Sequence, residues 1–130
     1  MKLGDNIQSG DFKGEKHVPV IDMPAKVKAG ELFELKASVG KEIPHPNNTE
    51  HHISWIQFFY KPTEGKFITE LGKIYFTSHA ESVTPAVPGP SSTEPICSIM
   101  VKLAKTGIII AQSYCNIHGL WETSQEIIVE

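Results

Sequence analysis

The alternation of apolar and polar side chains limits the possible fold of this chain more than any other feature, because this pattern is typical of β-strands. In FELKASV (33–39) every second residue is apolar, the period-two pattern of a strand with one buried face. The stretch His51–Tyr60 is rich in aromatic and β-branched side chains, as buried strands are. No long segment has helical periodicity, and a short helical turn near Asp5–Ser9 is the most that we expect. The sequence therefore predicts an all-β fold, an antiparallel β-sandwich of about seven short strands.

The remaining strand candidates are short and are separated by turn residues. They are Val18–Ile21, Ala25–Lys28, Ile68–Phe76, Cys97–Leu103, Ile108–Tyr114 and Gln125–Val129. The dipeptide Thr106-Gly107 is a turn signal, so the two strands that flank it are predicted to form a hairpin. Thr84–Pro95 holds four prolines and is expected to be a loop.

Length, charge and the N-terminal residues limit the classes of function. A chain of 130 residues, 40% of them apolar, predicts one globular domain, residues 1–130. The net charge of −3 argues against a nucleic-acid partner, which needs a basic stripe. Residues 1–17 lack the apolar run of a signal peptide, and no apolar run approaches a membrane span. We therefore expect a cytoplasmic protein without a membrane partner. There, Cys97 and Cys115 are more often one core thiol and one functional thiol than a disulfide.

The strongest local signal for chemistry is the segment CNIHG (115–119). A thiolate at Cys115 and an imidazole at His118, three residues apart, can close on one metal ion across a tight turn. Gly119 supplies backbone freedom directly after the second candidate ligand. Taken alone, a stray cysteine and histidine at a strand end explain this pattern about as well.

A second signal is the segment EKHVP (15–19). Residues two apart in an extended chain point to the same side, so Glu15 and His17 can address one centre, with Lys16 at its rim. Taken alone, this segment is better interpreted as a solvated charged loop.

A third signal joins His45 to a pair of histidines that follows it. Prolines on both sides of His45 restrict the backbone and hold the imidazole in one direction. His51 and His52 come next, at the predicted start of a strand, where they face opposite ways. One of the two is therefore expected to be a ligand, and the pattern does not decide which. His79 is interpreted as a packing or hydrogen-bonding histidine.

These segments together offer three or four imidazoles, one thiolate and one optional carboxylate. A structural zinc site is a closed tetrahedron, which five ligands overfill. Five ligands suit a square pyramid with imidazoles in the plane and thiolate on the axis, leaving a sixth position that iron uses. Blue copper needs two histidines, one cysteine and an axial methionine. The stretch GLWETSQ (119–125) contains no methionine, so a cupredoxin-like electron carrier is the second interpretation and a zinc-stabilised interaction module the third.

Three motifs resemble a known family. EKHVPVI (15–21), GKEIPHPNNTEHHI (40–53) and SYCNIHGLWE (113–122) are similar to the superoxide reductases of the one-iron, neelaredoxin type. The shorter segments HAESV (79–83) and TEPI (93–96) also match, and the likeness runs from Ile7 to Val129. The rubredoxin-like N-terminal domain of the desulfoferrodoxins is not expected, because the chain has no Cys-x-x-Cys pair.

The resemblance implies a fold, an activity and a set of partners. The implied fold is an immunoglobulin-like, seven-stranded β-sandwich that assembles as a homotetramer. The implied activity is the reduction of superoxide to hydrogen peroxide at a mononuclear non-haem iron, with electrons from a rubredoxin-like donor.

The resemblance also implies a role for each candidate site residue. The metal ligands are His17, His45, His51 and His118 in the plane and Cys115 on the axis. Because the resemblance selects His51, His52 is interpreted, like His79, as a packing or hydrogen-bonding histidine. Glu15 is implied as the carboxylate that can take the sixth position in the ferric state, and we expect it to be dispensable for reduction itself. Lys16 is implied near the open site, where its charge attracts superoxide. Beside these, we expect Cys97 to be a buried packing thiol, and Asn116 and the amides after Cys115 to donate hydrogen bonds to the sulfur.

Overall fold

A computed structural model describes residues 1–10 and 16–130 of the chain, and strands dominate this part. The elements are a short 3₁₀ helix (Leu3–Asn6) and the strands β1 (Val20–Asp22), β2 (Lys26–Val27), β3 (Phe33–Ser38), β4 (Ile53–Pro62), β5 (Thr69–Tyr75), β6 (Ile96–Val101), β7 (Gly107–Cys115) and β8 (Gly119–Val129). Within residues 1–10 and 16–130, no helix has the length and apolar character that crossing a membrane requires.

Two sheets form the sandwich. One has three strands in the order β1-β3-β6, and the other has five in the order β2-β8-β7-β4-β5. Every pairing is antiparallel except that of β2 with β8. The predicted all-β, immunoglobulin-like sandwich is confirmed. The described residues contain eight strands instead of seven, because β1 and β2, although close in sequence, join different sheets.

The core lies between the two sheets and follows the alternation seen in the sequence. In β3 the apolar residues are buried and their polar neighbours are exposed, while β7 presents its buried residues to the same interior. Leu35, Phe58 and Ile109 are among the fully buried side chains. Each large apolar side chain buried in this way contributes roughly 1.5–3 kcal/mol to folding.

Cys97 packs against this core from β6, as expected of a structural thiol. Burial raises the pKa of the Cys97 thiol to about 11, so it stays protonated at neutral pH. No disulfide joins it to Cys115.

The predicted hairpin across Thr106-Gly107 is wrong. Strand β6 pairs with β3, whereas β7 pairs with β4 and β8, so this turn crosses from one sheet to the other. Gly107 explains the turn signal differently: a Cβ at this position would collide with the carbonyl oxygen of Lys61. The glycine therefore permits a close approach to β4 and does not reverse the chain onto β6.

The hairpin of the molecule that matters for the site is formed by β7 and β8. Strand β8 begins at Gly119, well before the predicted start at Gln125, and its register pairs Cys115 with Gly119. Strand β4 begins at Ile53, so the two preceding histidines lie ahead of the strand. The end of β7, the start of β4 and the segment before β1 meet at this end of the sandwich.

Candidate metal centre

The β7–β8 turn carries the thiol and one imidazole. Cys115 is the last residue of β7 and is 0% exposed, whereas His118 lies in the turn and is exposed. Gly119 has a φ of 82°, a left-handed conformation that lets the chain turn directly into β8. The backbone N–H of His118 donates to Cys115 Sγ at 3.3 Å, and His118 Nδ1 lies 3.7 Å from the same sulfur.

His17 is held against this hairpin from two sides. It is 0% exposed, and its carbonyl oxygen accepts a hydrogen bond from Ser113 Oγ at 2.6 Å. The indole of Trp121 stacks on the imidazole, with ring centroids 4.5 Å apart and planes inclined by 14°. The Trp121 Nε1–H donates to the carbonyl oxygen of His118 at 3.2 Å, so one indole contacts two candidate ligand residues.

His45 is buried in the loop that precedes β4, and a hydrogen bond sets its tautomer. Nδ1 lies 2.6 Å from the carbonyl oxygen of Pro46, which only accepts, so Nδ1 carries the proton. The lone pair is then on Nε2, which is buried and suited to bind a metal. Gly40 makes room for this loop: it has a φ of 85°, and a Cβ there would lie 2.6 Å from the His45 backbone nitrogen.

His51 lies two residues before β4, in a turn stabilised by a side chain. Asn48 Oδ1 accepts hydrogen bonds from the N–H groups of Glu50 and His51, at 3.0 and 2.9 Å. This turn presents the His51 imidazole to the interior of the site, and His51 Nε2 is buried.

The four imidazole rings form a near-square. The centroid separations along its sides are 4.8 Å (His17–His45), 4.7 Å (His45–His51), 5.0 Å (His51–His118) and 4.9 Å (His118–His17). Neighbouring ring planes are inclined by 65–80°. His17 and His51, which face each other across the square, are 6.4 Å apart, the longer separation expected of a diagonal.

The spacing of the donor atoms fits a single metal ion. One potential ligand atom each from His17, His45, His51 and Cys115 lies within 4.8 Å of the others, and His118 Nδ1 lies 3.1 Å from His17 Nε2. Metal–nitrogen bonds of about 2.1 Å place donors on one ion about 3 Å apart when adjacent and about 4.2 Å apart when opposite. Imidazoles with a thiolate suit zinc, copper and iron. The five side chains named from the sequence are therefore together, and their role as ligands stays a prediction.

Glu15 and Lys16 are the other two predicted site residues. Glu15 lies outside the described residues. Lys16 is half-buried next to His17 and lines a cavity of about 490 Å³. Lys41 and Glu42 line the same cavity, and sequence reasoning assigned neither of them a role.

The remaining histidines, His52 and His79, stack on each other outside the square. Their ring centroids are 3.5 Å apart, the planes are inclined by 7°, and His79 Nδ1 lies 3.2 Å from Asn47 Oδ1. Burial, and then the neighbouring His52, lower the pKa of His79, while Glu81 acts in the opposite direction. The expected packing and hydrogen-bonding role of these two histidines is confirmed.

One predicted contact of the sulfur is wrong. The backbone N–H of Asn116 donates to the carbonyl oxygen of His52 at 3.2 Å, not to Cys115. The expectation that an amide after Cys115 donates to the sulfur is confirmed by the N–H of His118, because the turn brings that amide back over Cys115. Sequence reasoning also missed Ser113 and Trp121. Both lie within the SYCNIHGLWE motif, but their contacts with His17 join segments distant in sequence.

Residues 9–124 match the family model of the desulfoferrodoxins. The chain belongs to the desulfoferrodoxin family. A superoxide reductase from Pyrococcus furiosus is 49% identical over 120 residues, covering 92% of this chain and 94% of that protein. Neelaredoxin from Megalodesulfovibrio gigas is 44% identical over 127 residues, covering 98% of each chain.

A solved structure shows that the likeness extends to the fold. The crystal structure of a relative from Thermotoga maritima is 55% identical, covers 100% of this chain and 98% of its own, and superimposes with a TM-score of 0.92. The family resemblance of the sequence motifs is thereby confirmed.

Proposed function

We propose that this desulfoferrodoxin-family chain is a superoxide reductase. In this reaction one superoxide anion takes up one electron and two protons and becomes hydrogen peroxide, and an external donor returns the electron. The observation that carries the proposal is the square of four imidazoles beside the buried thiol of Cys115. The relatives named superoxide reductase and neelaredoxin, which align over almost the whole chain, support the same activity.

The proposed ligands of a mononuclear iron are His17, His45, His51, His118 and Cys115. When bound, iron supplies a one-electron Fe²⁺/Fe³⁺ couple and a position at which a small anion can bind. The protein contributes preorganisation: the Trp121 indole stacks on His17, the Pro46 carbonyl orients His45, and Asn48 holds the backbone of His51. The N–H of His118 is directed at Cys115 Sγ and stabilises negative charge on it, as a charge-assisted hydrogen bond does.

Lys16 is proposed to attract the substrate. Superoxide is an anion and the chain has a net charge of −3, so a local positive group is needed to raise the rate of encounter. Lys16 is adjacent to His17 in the chain, and its ammonium group can also hold a water molecule that delivers a proton. Glu15 is proposed as a ligand of the ferric state that the reduction itself does not need.

The wider context of the activity is proposed on the same family resemblance. The electron donor is a rubredoxin-like protein, the chain assembles as a homotetramer, and the reaction takes place in the cytoplasm. Residues 1–130 act as one domain, a proposal supported by the hydrophobic cluster that joins both sheets in the described part of the chain.

The test combines metal analysis with product analysis. The purified protein is expected to contain one iron per chain and to show a thiolate-to-iron absorption band that dithionite bleaches. Mixing the reduced protein with superoxide should yield one hydrogen peroxide per superoxide, without release of dioxygen.

Two results would contradict the proposal. Dioxygen released in equal amount with peroxide would indicate a dismutase. Bound copper with no peroxide formed would favour a cupredoxin-like carrier, although such a site uses two histidines where four are gathered here.

A further inference from the structure

Asn116 directly follows Cys115, and it contacts the segment that carries His51. Its side-chain Nδ2 donates to the carbonyl oxygen of Glu50 at 3.0 Å, and its Oδ1 accepts from the backbone N–H of His52 at 2.9 Å. Its own backbone N–H donates to the carbonyl oxygen of His52 at 3.2 Å. Three hydrogen bonds from one residue therefore bracket His51 on both sides.

These hydrogen bonds fix the backbone beyond the end of the β4–β7 pairing. The pairing of β4 with β7 ends at Ile53 and Cys115, with an irregularity between Ile53 and Trp55. His51 lies beyond this end, where no β4–β7 ladder bond fixes the backbone. Asn116 holds this segment to the end of β7 through hydrogen bonds to the backbone of Glu50 and of His52.

The chemistry of the contact suits an amide, which carries its donor and its acceptor on two separate atoms. The Glu50 carbonyl only accepts and the His52 N–H only donates, so the partner must offer both a donor and an acceptor on one short side chain. Asparagine does so, and the two partners fix which atom is Nδ2. An aspartate would keep the acceptor but would direct a carboxylate oxygen at the Glu50 carbonyl.

We propose that Asn116 is a positioning residue of the metal centre. It holds the His51 imidazole in register with the Cys115–His118 turn, so that a ligand from the loop and ligands from the hairpin address the same ion. The inference rests on the ligand set of the proposed function. It adds a residue that does not itself touch the metal.

The test measures Co²⁺ binding, which needs no turnover and reports the thiolate through its absorption. Affinity is determined by competition with a chelator for the wild type, Asn116→Ala and Asn116→Asp, and the melting temperature of each metal-free protein is recorded. Residues that orient ligands in this way typically change metal affinity by about 10- to 100-fold. We expect a loss in that range for Asn116→Ala and a smaller loss for Asn116→Asp, which keeps the bond from the His52 N–H.

Thr106 offers a matched control at the opposite end of β7. Its Oγ1 accepts from the N–H of Val129 at 2.8 Å and donates to the Val129 carbonyl at 3.3 Å, so it also ties a chain segment with both a donor and an acceptor. Thr106→Val removes both bonds and should lower the melting temperature while leaving Co²⁺ affinity within about twofold of the wild type.

Several results would contradict the proposed role of Asn116 or the ligand set on which it rests. Equal Co²⁺ affinities for wild type and Asn116→Ala, or an equal loss in Thr106→Val, overturn the positioning role. If Asn116→Ala does not fold, Asn116→Asp carries the test, and a wild-type affinity there overturns the proposal. Absence of a thiolate band in wild-type Co²⁺ protein would instead reject the ligand set. Tight thiolate binding of Co²⁺ without superoxide reduction by the iron form would reject the proposed function and leave the role of Asn116 intact.

Discussion

The candidate centre combines two kinds of support: a hairpin supplies Cys115 and His118, and loops supply His17, His45 and His51. The hairpin is attached through the ladders of β7 with β4 and β8. The loop residues precede strands, and the described contacts that hold them include side-chain hydrogen bonds, each worth about 1 kcal/mol. Local opening is least costly where backbone pairing is sparse. The hairpin is therefore preorganised by the fold, whereas the loops depend on contacts made specifically at the site.

The largest effect on metal affinity is expected from removing the thiol that the hairpin supplies. Cys115→Ser removes the soft ligand but leaves the β7–β8 ladder, so the fold should persist while metal affinity falls by more than about 100-fold, beyond the cost of losing an outer contact. Circular dichroism measures whether the fold persists, and visible absorption of the Co²⁺ protein measures metal binding. A thiolate band that survives in the variant would show that Cys115 is not the ligand.

The next largest effect is expected at Trp121, which contacts both the loop ligand His17 and the hairpin ligand His118. Trp121→Leu removes the stack on His17 and the bond to the His118 carbonyl, and we expect the free energy of unfolding to fall by about 2–4 kcal/mol. Co²⁺ affinity should fall by about tenfold. Denaturant unfolding and chelator competition measure these changes.

Trp55 supplies the control for this prediction. It is half-buried and stacks on Tyr114, with Lys73 Nζ 4.1 Å from the ring. Trp55→Phe should leave metal affinity unchanged and leaves Trp121 as the only tryptophan, so metal binding should then quench the remaining fluorescence. Unquenched emission would contradict the closeness of Trp121 to the ion.

The loop half can be disturbed alone through Gly40. Gly40→Ala forces a side chain into a left-handed conformation, at about 1–2 kcal/mol, and also places the Cβ against the His45 nitrogen. Gly30→Ala carries the same conformational cost, since its φ is 78°, but meets nothing within 4 Å. We expect both to lower the melting temperature and only Gly40→Ala to weaken Co²⁺ binding by several-fold. Equal affinities would show that the His45 loop adapts freely.

A smaller effect, on the rate of superoxide association, is expected at Lys16. Lys16→Ala should slow the association of superoxide by several-fold and weaken its dependence on salt, because the local attraction is lost. Lys102→Ala, an exposed change of the same charge on the chain, should have little effect. Stopped-flow or pulse-radiolysis rates over a range of ionic strength measure both. An unchanged rate for Lys16→Ala would remove this residue from the mechanism.

The smallest effect concerns the pH dependence of stability at His79, outside the square. Its pKa is lowered in the folded protein, mainly by burial, so the unfolded chain binds more protons at mildly acidic pH. The contribution of His79 is therefore present above the unfolded pKa of about 6.5 and is lost as pH falls through the folded pKa. His79→Gln should flatten this decline in denaturant unfolding between pH 7 and 5. An identical pH profile would contradict the shift.

Much of the fold and of the site could be predicted because the signals are local. Alternation in residues 33–39 identified β3, and the spacing of Cys115 and His118 identified a pair that one turn brings together. The hairpin across Thr106-Gly107 failed because a turn signal does not reveal which sheet the next strand joins. That choice depends on the burial of both faces across the sandwich.

The strand character of the chain and the chemical types gathered at the site could be predicted from the sequence, since periodicity and side-chain chemistry are properties of neighbouring residues. The residue pattern left the choice between His51 and His52 open, and the tertiary structure shows that His51 joins the square, as the resemblance implied, while His52 stacks on His79. Both histidines precede β4, so strand alternation does not apply to them. The physical reason is that their directions are set by Asn48 and Asn116, and the contact with Asn116 spans more than sixty residues of chain.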